Sequence, residues 1–262
     1  MTHYPYLIIG GGMTGAAAAN GIRERDDARV IGLISAEPEP PYDRPPLSKK
    51  LWDGQKRVDE IYVKLPGNVQ PYFGRRVVAL DPAARAVTLD DGASHTYGRL
   101  LLATGGDPRR LPFGGEHVNY YRTLADYRDL HADVERGARF IVIGGGFIGS
   151  EVAASLRKQG NAVTLIMPEA GISDRVFPAK MAAHLVDVYR EHGIEVLAES
   201  RVTDIAADAS GATVTLGDGR RLAADRIVAG IGLVPDVALA RAAGLAVDNG
   251  ILVDEHLQTT AT

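Results

Sequence analysis

A strand-like apolar run that ends in glycines and continues into a helix-favouring stretch occurs twice in these 262 residues, as LIIGGGMTGAA at 7–17 and IVIGGGFIGSE at 141–151. Gly10, Gly12 and Gly15 of the first copy stand 134 residues before Gly144, Gly146 and Gly149 of the second. Such a repeat constrains the fold more than any single element, because each copy must bury its own apolar strand and helix face. The copies continue to match. VTLDDG at 87–92 parallels VTLGDG at 214–219, and YGRLLLATG at 97–105 parallels ADRIVAGIG at 224–232, at an offset of 127. The first copy is therefore seven residues longer, and the proline-rich EPEPPYDRPPLSKKLW at 37–52 is the natural place for them.

Within the first copy, YLIIG reads as a buried strand, MTGAAAANGIRER as a helix and VIGLIS as a second strand. The second copy repeats that order with FIVIG, FIGSEVAASLRKQG and AVTLIM, and Gly160 sits where a helix C-terminus is expected. Residues 178–192 (PAKMAAHLVDVYREH) predict a further helix whose Met181, Leu185, Val188 and Tyr189 fall near helical spacing and read as core packing. Short connections between strands and intervening helices imply an α/β fold with a doubly wound sheet in each half.

A strand ending in GxGxxG lets the backbone come close to a diphosphate, because a residue without Cβ adopts positive φ and leaves room. The helix behind it offers unpaired N–H groups and a partial positive charge. An acid about 20 residues further on accepts from a ribose hydroxyl in such sites. Glu37 and Glu169 stand at that distance past Gly15 and Gly149, with Glu39 an alternative to Glu37, and Met167 occupies the last strand position of the second copy, where the acid is more usual. Glu169 would repel a 2′-phosphate, and no Arg or Lys stands at 167–171, so NADH is favoured over NADPH.

Other classes are excluded by composition. A formal net charge of -4 leaves no basic excess for a nucleic-acid backbone. The start MTHYPYLIIGGG carries no basic segment before an apolar one, and the apolar runs are too short to cross a bilayer, so no membrane partner and a cytoplasmic location are expected. With no cysteine there is no disulfide, thiolate nucleophile or zinc-thiolate site, and the seven histidines show no metal-ligand spacing, so no metal site is expected.

The blocks LIIGGGMTGAAAA, PPYDRPPLSKKLW, YGRLLLATGG, FIVIGGGFIGSEVA and IVAGIGLVPD, in that order, resemble the FAD-dependent pyridine nucleotide oxidoreductases. The branch they are similar to contains apoptosis-inducing factor, rubredoxin reductases and the ferredoxin reductases of Rieske-type oxygenases. The resemblance implies two Rossmann-like domains, one inserted in the other: a FAD-binding domain at 1–113, an NAD(P)H-binding domain at 114–240 and a return to the first at 241–262. It implies that Arg44, Pro45 and Lys49 contact the flavin, that Lys49 pairs with Glu151, and that Phe147 lies between nicotinamide and flavin, a core phenylalanine being the competing reading. Thr104, Gly105 and Gly232 mark strand ends whose backbone approaches a cofactor.

The same resemblance implies the reaction. Hydride passes from NADH to FAD, and electrons then go to an external carrier such as ferredoxin or rubredoxin, since the chain has no cysteine for a thiol relay. A nucleotide-binding module without turnover is the alternative. A flavin-free alcohol dehydrogenase fits worse, because one dinucleotide fold would serve it and no YxxxK pair follows the second glycine turn. The family continues past VDEHLQTTAT with a strand ending in Gly-Asp and a C-terminal domain, so a truncated chain with an exposed strand edge is expected.

Overall fold

Apolar runs buried on both faces become the inner strands of parallel sheets, and here they belong to two compact units. The computed structural model describes residues 1–208 and 211–261. The first unit comprises residues 1–43, 59–107 and 234–262, and the second comprises residues 44–58 and 108–233. The divisions fall a few residues before those expected at 113/114 and 240/241, and 44–58 groups with the second unit rather than the first. The reason is burial: Leu47, Leu51 and Trp52 are 2%, 6% and 5% exposed. The Trp52 indole donates to the Leu47 carbonyl at 2.7 Å and to the Tyr121 hydroxyl at 3.2 Å.

In the first unit, β1 (Thr2–Ile9) leads into α1 (Met13–Arg23) and β2 (Ile31–Ser35), followed by β3 (Val69–Phe73), β4 (Val77–Asp81), β5 (Ala86–Leu89) and β6 (Ser94–Leu102). The chain leaves through β7 (Gly106–Pro108). β1 to β6 form one six-stranded sheet in the order β3-β2-β1-β6-β5-β4. β1 is parallel to both β2 and β6, so Ile8 and Ile9 sit at its centre, and β4 and β5 extend the edge as an antiparallel hairpin. α1 presents Gly15, Ala16 and Ala19 inward, small residues that bring helix and sheet close.

The second unit contains β8 (Val118–Asn119), α2 (Leu124–Val134), β9 (Arg139–Ile143), α3 (Phe147–Lys158), β10 (Ala162–Ile166), α4 (Ala179–Glu191) and β11 (Glu195–Leu197). It continues with β12 (Val202–Asp208), β13 (Gly211–Leu216), β14 (Arg221–Ala224) and β15 (Arg226–Ala229). The chain then returns through β16 (Leu233–Pro235), α5 (Ala238–Ala242), β17 (Val247–Asp248) and β18 (Gly250–Ile251). A five-stranded parallel sheet, β11-β10-β9-β15-β8, carries the core, and β12-β13-β14 form a separate three-stranded sheet. The repeat has diverged at one point. Gly98 lies inside the continuous β6, whereas the matching Asp225 interrupts the chain between β14 and β15 and pairs with Arg139 at 2.8 Å.

The helix expected at 178–192 forms as α4, but its core stripe is displaced by one residue. Ala182 and Val186 are the buried positions, and Met181 is 49% exposed. The helix turns this smaller face inward because the Ala182 carbonyl takes the Ile172 N–H at 3.1 Å, holding the chain against its first turn. Among the described residues no helix is long and apolar enough to cross a membrane.

One buried polar group in the first unit has no hydrogen-bond partner. His95, 6% exposed, lies between the rings of Tyr4 and Tyr72 at 5.6 and 4.9 Å, and neither ring nitrogen is bonded. Burial holds its pKa below the ordinary value, with the N-terminal charge adding to the effect. Below the ordinary value of about 6.5 the unfolded chain takes a proton that the folded chain refuses, so stability is full above that pH and is lost as pH falls through the folded value. The expected outcome is a thermal midpoint that drops between about pH 7 and about pH 5, and drops less in His95→Phe, as circular dichroism melts would record.

Candidate functional site

In the first unit the glycine turn is closed against its own sheet. Gly10 has φ +117, and a Cβ there would lie 2.0 Å from the Ala103 carbonyl oxygen; one on Gly15 would lie 1.9 Å from the Gly10 oxygen. Only glycine permits either approach, and together they set where α1 begins. Gly12 caps α1 without a side-chain hydrogen bond. Beside the turn is a cavity of about 130 Å³ whose walls include Gly10, Gly11, Ser35, Glu37, Arg75, Arg76 and Thr104.

Glu37 therefore shares a cavity with the glycine turn, and the Tyr42 hydroxyl donates to it at 2.5 Å. Glu39, the alternative acid, receives the Tyr62 hydroxyl at 2.5 Å and does not line that cavity. Thr104 donates to the Asp236 carbonyl at 2.6 Å, and the Gly105 carbonyl accepts from the Asp236 N–H at 3.0 Å. Arg75 and Arg76 were not singled out from sequence. No motif flags them, because β3 and the turn after it bring them to the cavity from beyond the insert.

The second unit repeats the closure. A Cβ on Gly144 (φ +105) would lie 2.5 Å from the Gly230 oxygen, one on Gly149 would lie 1.9 Å from the Gly144 oxygen, and one on Gly230 would lie 2.7 Å from the Gly149 nitrogen. Gly230 corresponds to Ala103 at the repeat offset and forms the cradle wall, whereas Gly232 hydrogen-bonds through its carbonyl to the Arg109 N–H at 2.9 Å. Gly146 is different. Its backbone is extended (φ -74, ψ -177), it caps α3 without a side-chain bond, and a Cβ on it would have the Gly230 oxygen as its nearest neighbour, 4.0 Å away. Packing does not demand glycine there, so what its missing Cβ leaves open is the space before the helix N-terminus. That space and its uncapped N–H groups fit a diphosphate.

Glu151, on the first turns of α3, accepts from Lys49 at 2.8 Å and from the Ser48 hydroxyl at 2.6 Å. The side chains are 49% exposed for Lys49 and 25% for Glu151, so the pair fixes position more than it adds stability. The proline-rich segment is in turn fastened to α3: Ser155 donates to the Ser48 carbonyl at 2.9 Å and Gln159 to the Trp52 carbonyl at 2.5 Å. Arg44, ahead of the short 3-10 turn Pro45–Ser48, donates to the Arg122 carbonyl at 3.0 Å. Burial pushes the Tyr121 hydroxyl far up, so it stays protonated, and it donates to the Leu47 carbonyl. Ser48 was missed from sequence; no spacing rule links it to a carboxylate 103 residues away.

Phe147 opens α3 and is 52% exposed, which removes the reading of a core phenylalanine. Its ring meets Phe177 edge to face at 6.2 Å. Glu169 pairs with Arg175 at 3.1 Å. The loop carrying Arg175 and Phe177 is latched to the glycine turn itself: Ser173, buried with φ 56, gives its N–H to the Gly145 carbonyl at 2.8 Å. Met167, expected as the last strand residue, lies one residue past the end of β10; it is fully buried, and a Cβ on Gly145 would lie 2.2 Å from its sulfur.

A family model described as pyridine nucleotide-disulphide oxidoreductase matches residues 4–262. The chain is 40% identical to the ferredoxin reductase subunit of 5,5'-dehydrodivanillate O-demethylase from Sphingobium sp., over 99% of this chain and 66% of that protein. It is 37% identical to putidaredoxin reductase from Pseudomonas putida, over 97% of this chain and 64% of that protein. Among solved structures, the putidaredoxin reductase–putidaredoxin complex resembles it with a TM-score of 0.93 and 35% identity, covering 100% of this chain and 66% of that one. The chain spans just under two thirds of the length of these relatives. With the same glycine cradle built twice and a family match running from residue 4 to residue 262, the chain belongs to the pyridine nucleotide-disulphide oxidoreductase family.

Proposed function

We propose that this chain is the dinucleotide-binding part of a cytoplasmic flavoprotein reductase that takes hydride from NADH onto FAD and passes the electrons to a carrier protein such as a ferredoxin or rubredoxin. The observation that carries this reading is the duplicated cradle, in which glycines close on backbone carbonyls and leave a helix N-terminus open. The names of the relatives, reductases of ferredoxin-type carriers, support the acceptor class. When bound, FAD supplies a ring that takes two electrons from a nicotinamide and releases them one at a time.

The residues of this chain bind, orient and hold charge. In the first unit, Gly10, Gly12 and Gly15 would admit the FAD diphosphate, Glu37 its ribose, and Thr104 and Gly105 an adjoining strand end. Gly144, Gly146 and Gly149 would admit the diphosphate of NADH, and Phe147 would offer its exposed face to the nicotinamide, with Phe177 fixing the ring from the side. Lys49 would stabilise negative charge developing on the reduced flavin, and Glu151, itself held by the Ser48 hydroxyl, keeps that ammonium in place. Arg44 and Pro45 set the start of the segment that carries it.

Coenzyme choice then rests on Glu169 and Arg175 together. Glu169 accepts from the ribose hydroxyls of NADH, and Arg175 supplies the cation that 167–171 lack. Glu169→Gln is expected to weaken NADH by about tenfold, the worth of one charge-assisted hydrogen bond, and to strengthen NADPH through the released Arg175. Calorimetric titration with both coenzymes measures it, and an unchanged ratio would sink the assignment.

Gly146→Ala is expected to keep the thermal midpoint, since an extended backbone and open space accept a Cβ, yet to lose NADH affinity by about tenfold or more. Unchanged affinity would show that no ligand approaches there. The purified protein should be yellow, with flavin bands that bleach on anaerobic addition of NADH. A colourless protein that still binds NADH would instead mark a binding module without turnover.

A further inference from the structure

Away from both glycine turns, α3 and α4 enclose a groove of about 480 Å³, within the size range of small-molecule sites. Ala154, Val188, Ile194 and the ring of Tyr189 give it an apolar lining. Val188 and Tyr189 were expected in the core; the one-residue displacement of α4 places them on this groove instead.

Its remaining walls carry two cations and an imidazole. Arg157, Lys158 and His192 line it together with Gly160, and no carboxylate does, in a chain whose net charge is -4. The Arg157 guanidinium is held by the backbone: Nε donates to the His192 carbonyl at 3.0 Å and Nη1 to the Asn161 carbonyl at 3.3 Å. Gly193, with φ +81, makes room for it, since a Cβ there would lie 2.7 Å from Nη2. His192 is held as well, its Nδ1 donating to the Val188 carbonyl at 2.8 Å, which leaves Nε2 unused by that contact. The Arg157 charge thus stands at a fixed position beside apolar surface, so an incoming anion has little ordering of that side chain to impose.

We propose that this groove is a binding site for a small aromatic carboxylate, its ring against Val188, Ile194 and Tyr189 and its carboxylate toward Arg157 and Lys158. Inorganic phosphate satisfies only the cations and gains nothing from the apolar wall, and a neutral aromatic leaves Arg157 and Lys158 unmatched. The site is independent of the dinucleotide assignment. It is nonetheless placed to influence the ion pair, because Ala154, Lys158 and Tyr189 also line the 270 Å³ pocket that holds Lys49, Glu151 and the single tryptophan, Trp52.

The test is calorimetric titration of the protein with 2-naphthoate, 2-naphthamide and inorganic phosphate, with Trp52 fluorescence as a second readout. The expected result is one naphthoate per chain with Kd below about 1 mM, at least about tenfold tighter than the amide or phosphate, and a change in Trp52 emission over the same range. Lys158→Glu, an exposed charge reversal, should weaken naphthoate by about tenfold, and Val188→Trp should fill the groove and abolish binding. Equal affinity for acid and amide, no binding of either, or unchanged naphthoate affinity in Lys158→Glu overturns the proposal. Lys158→Glu decides it even if the filled variant fails to fold.

Discussion

Two helices in this chain begin closer to a strand than side chains allow. In each unit the last glycine of the turn lies against the carbonyl of the first, and the first lies against a carbonyl of the neighbouring strand, Ala103 in one case and Gly230 in the other. Those contacts fix the height and direction of α1 and α3 over their sheets, so the N–H groups at each helix start point into the same kind of opening. A methyl group at any of these positions would have to displace backbone rather than a flexible side chain. The geometry of both candidate nucleotide sites follows from that single requirement.

Around this shared frame the copies have diverged. The first unit keeps its hairpin in the main sheet through the uninterrupted β6, while the second breaks at Asp225 and gathers β12, β13 and β14 into a sheet of their own. The proline-rich segment is equally asymmetric. It is inserted in the first copy of the sequence but fastened to the second unit by Trp52, Tyr121, Ser155 and Gln159, and in this way Lys49 reaches Glu151. The segment contains no cysteine, and Lys49 is the residue that links it to Glu151 on α3 by an ion pair.

Much of this was legible in the sequence because it is local or repeated. The glycine turns, the strands beside them, helix α4 and the matching strand ends all follow from periodicity and offset, and the Lys49–Glu151 pair followed from family resemblance. What stayed hidden depends on residues far apart in the chain. Nothing in the spacing separated Glu37 from Glu39; Glu37, not Glu39, lines the cavity beside the first glycine turn. Arg175 lies beyond 167–171 in the chain, and a loop, not a strand, returns it to Glu169. The face of α4 was misjudged by one residue, since helical spacing alone does not say which of two adjacent stripes, Met181–Leu185 or Ala182–Val186, meets the sheet.

The latch at Ser173 has a bearing on how such a chain changes over time. Its left-handed backbone and its bond to the Gly145 carbonyl hold the 168–177 loop by main-chain atoms, while the side chains on either side of it, Glu169, Arg175 and Phe177, carry none of that anchoring. Exchange of those side chains therefore leaves the loop's path intact. Selection can alter the surface beside the second glycine turn one codon at a time, on a scaffold that does not have to be reinvented.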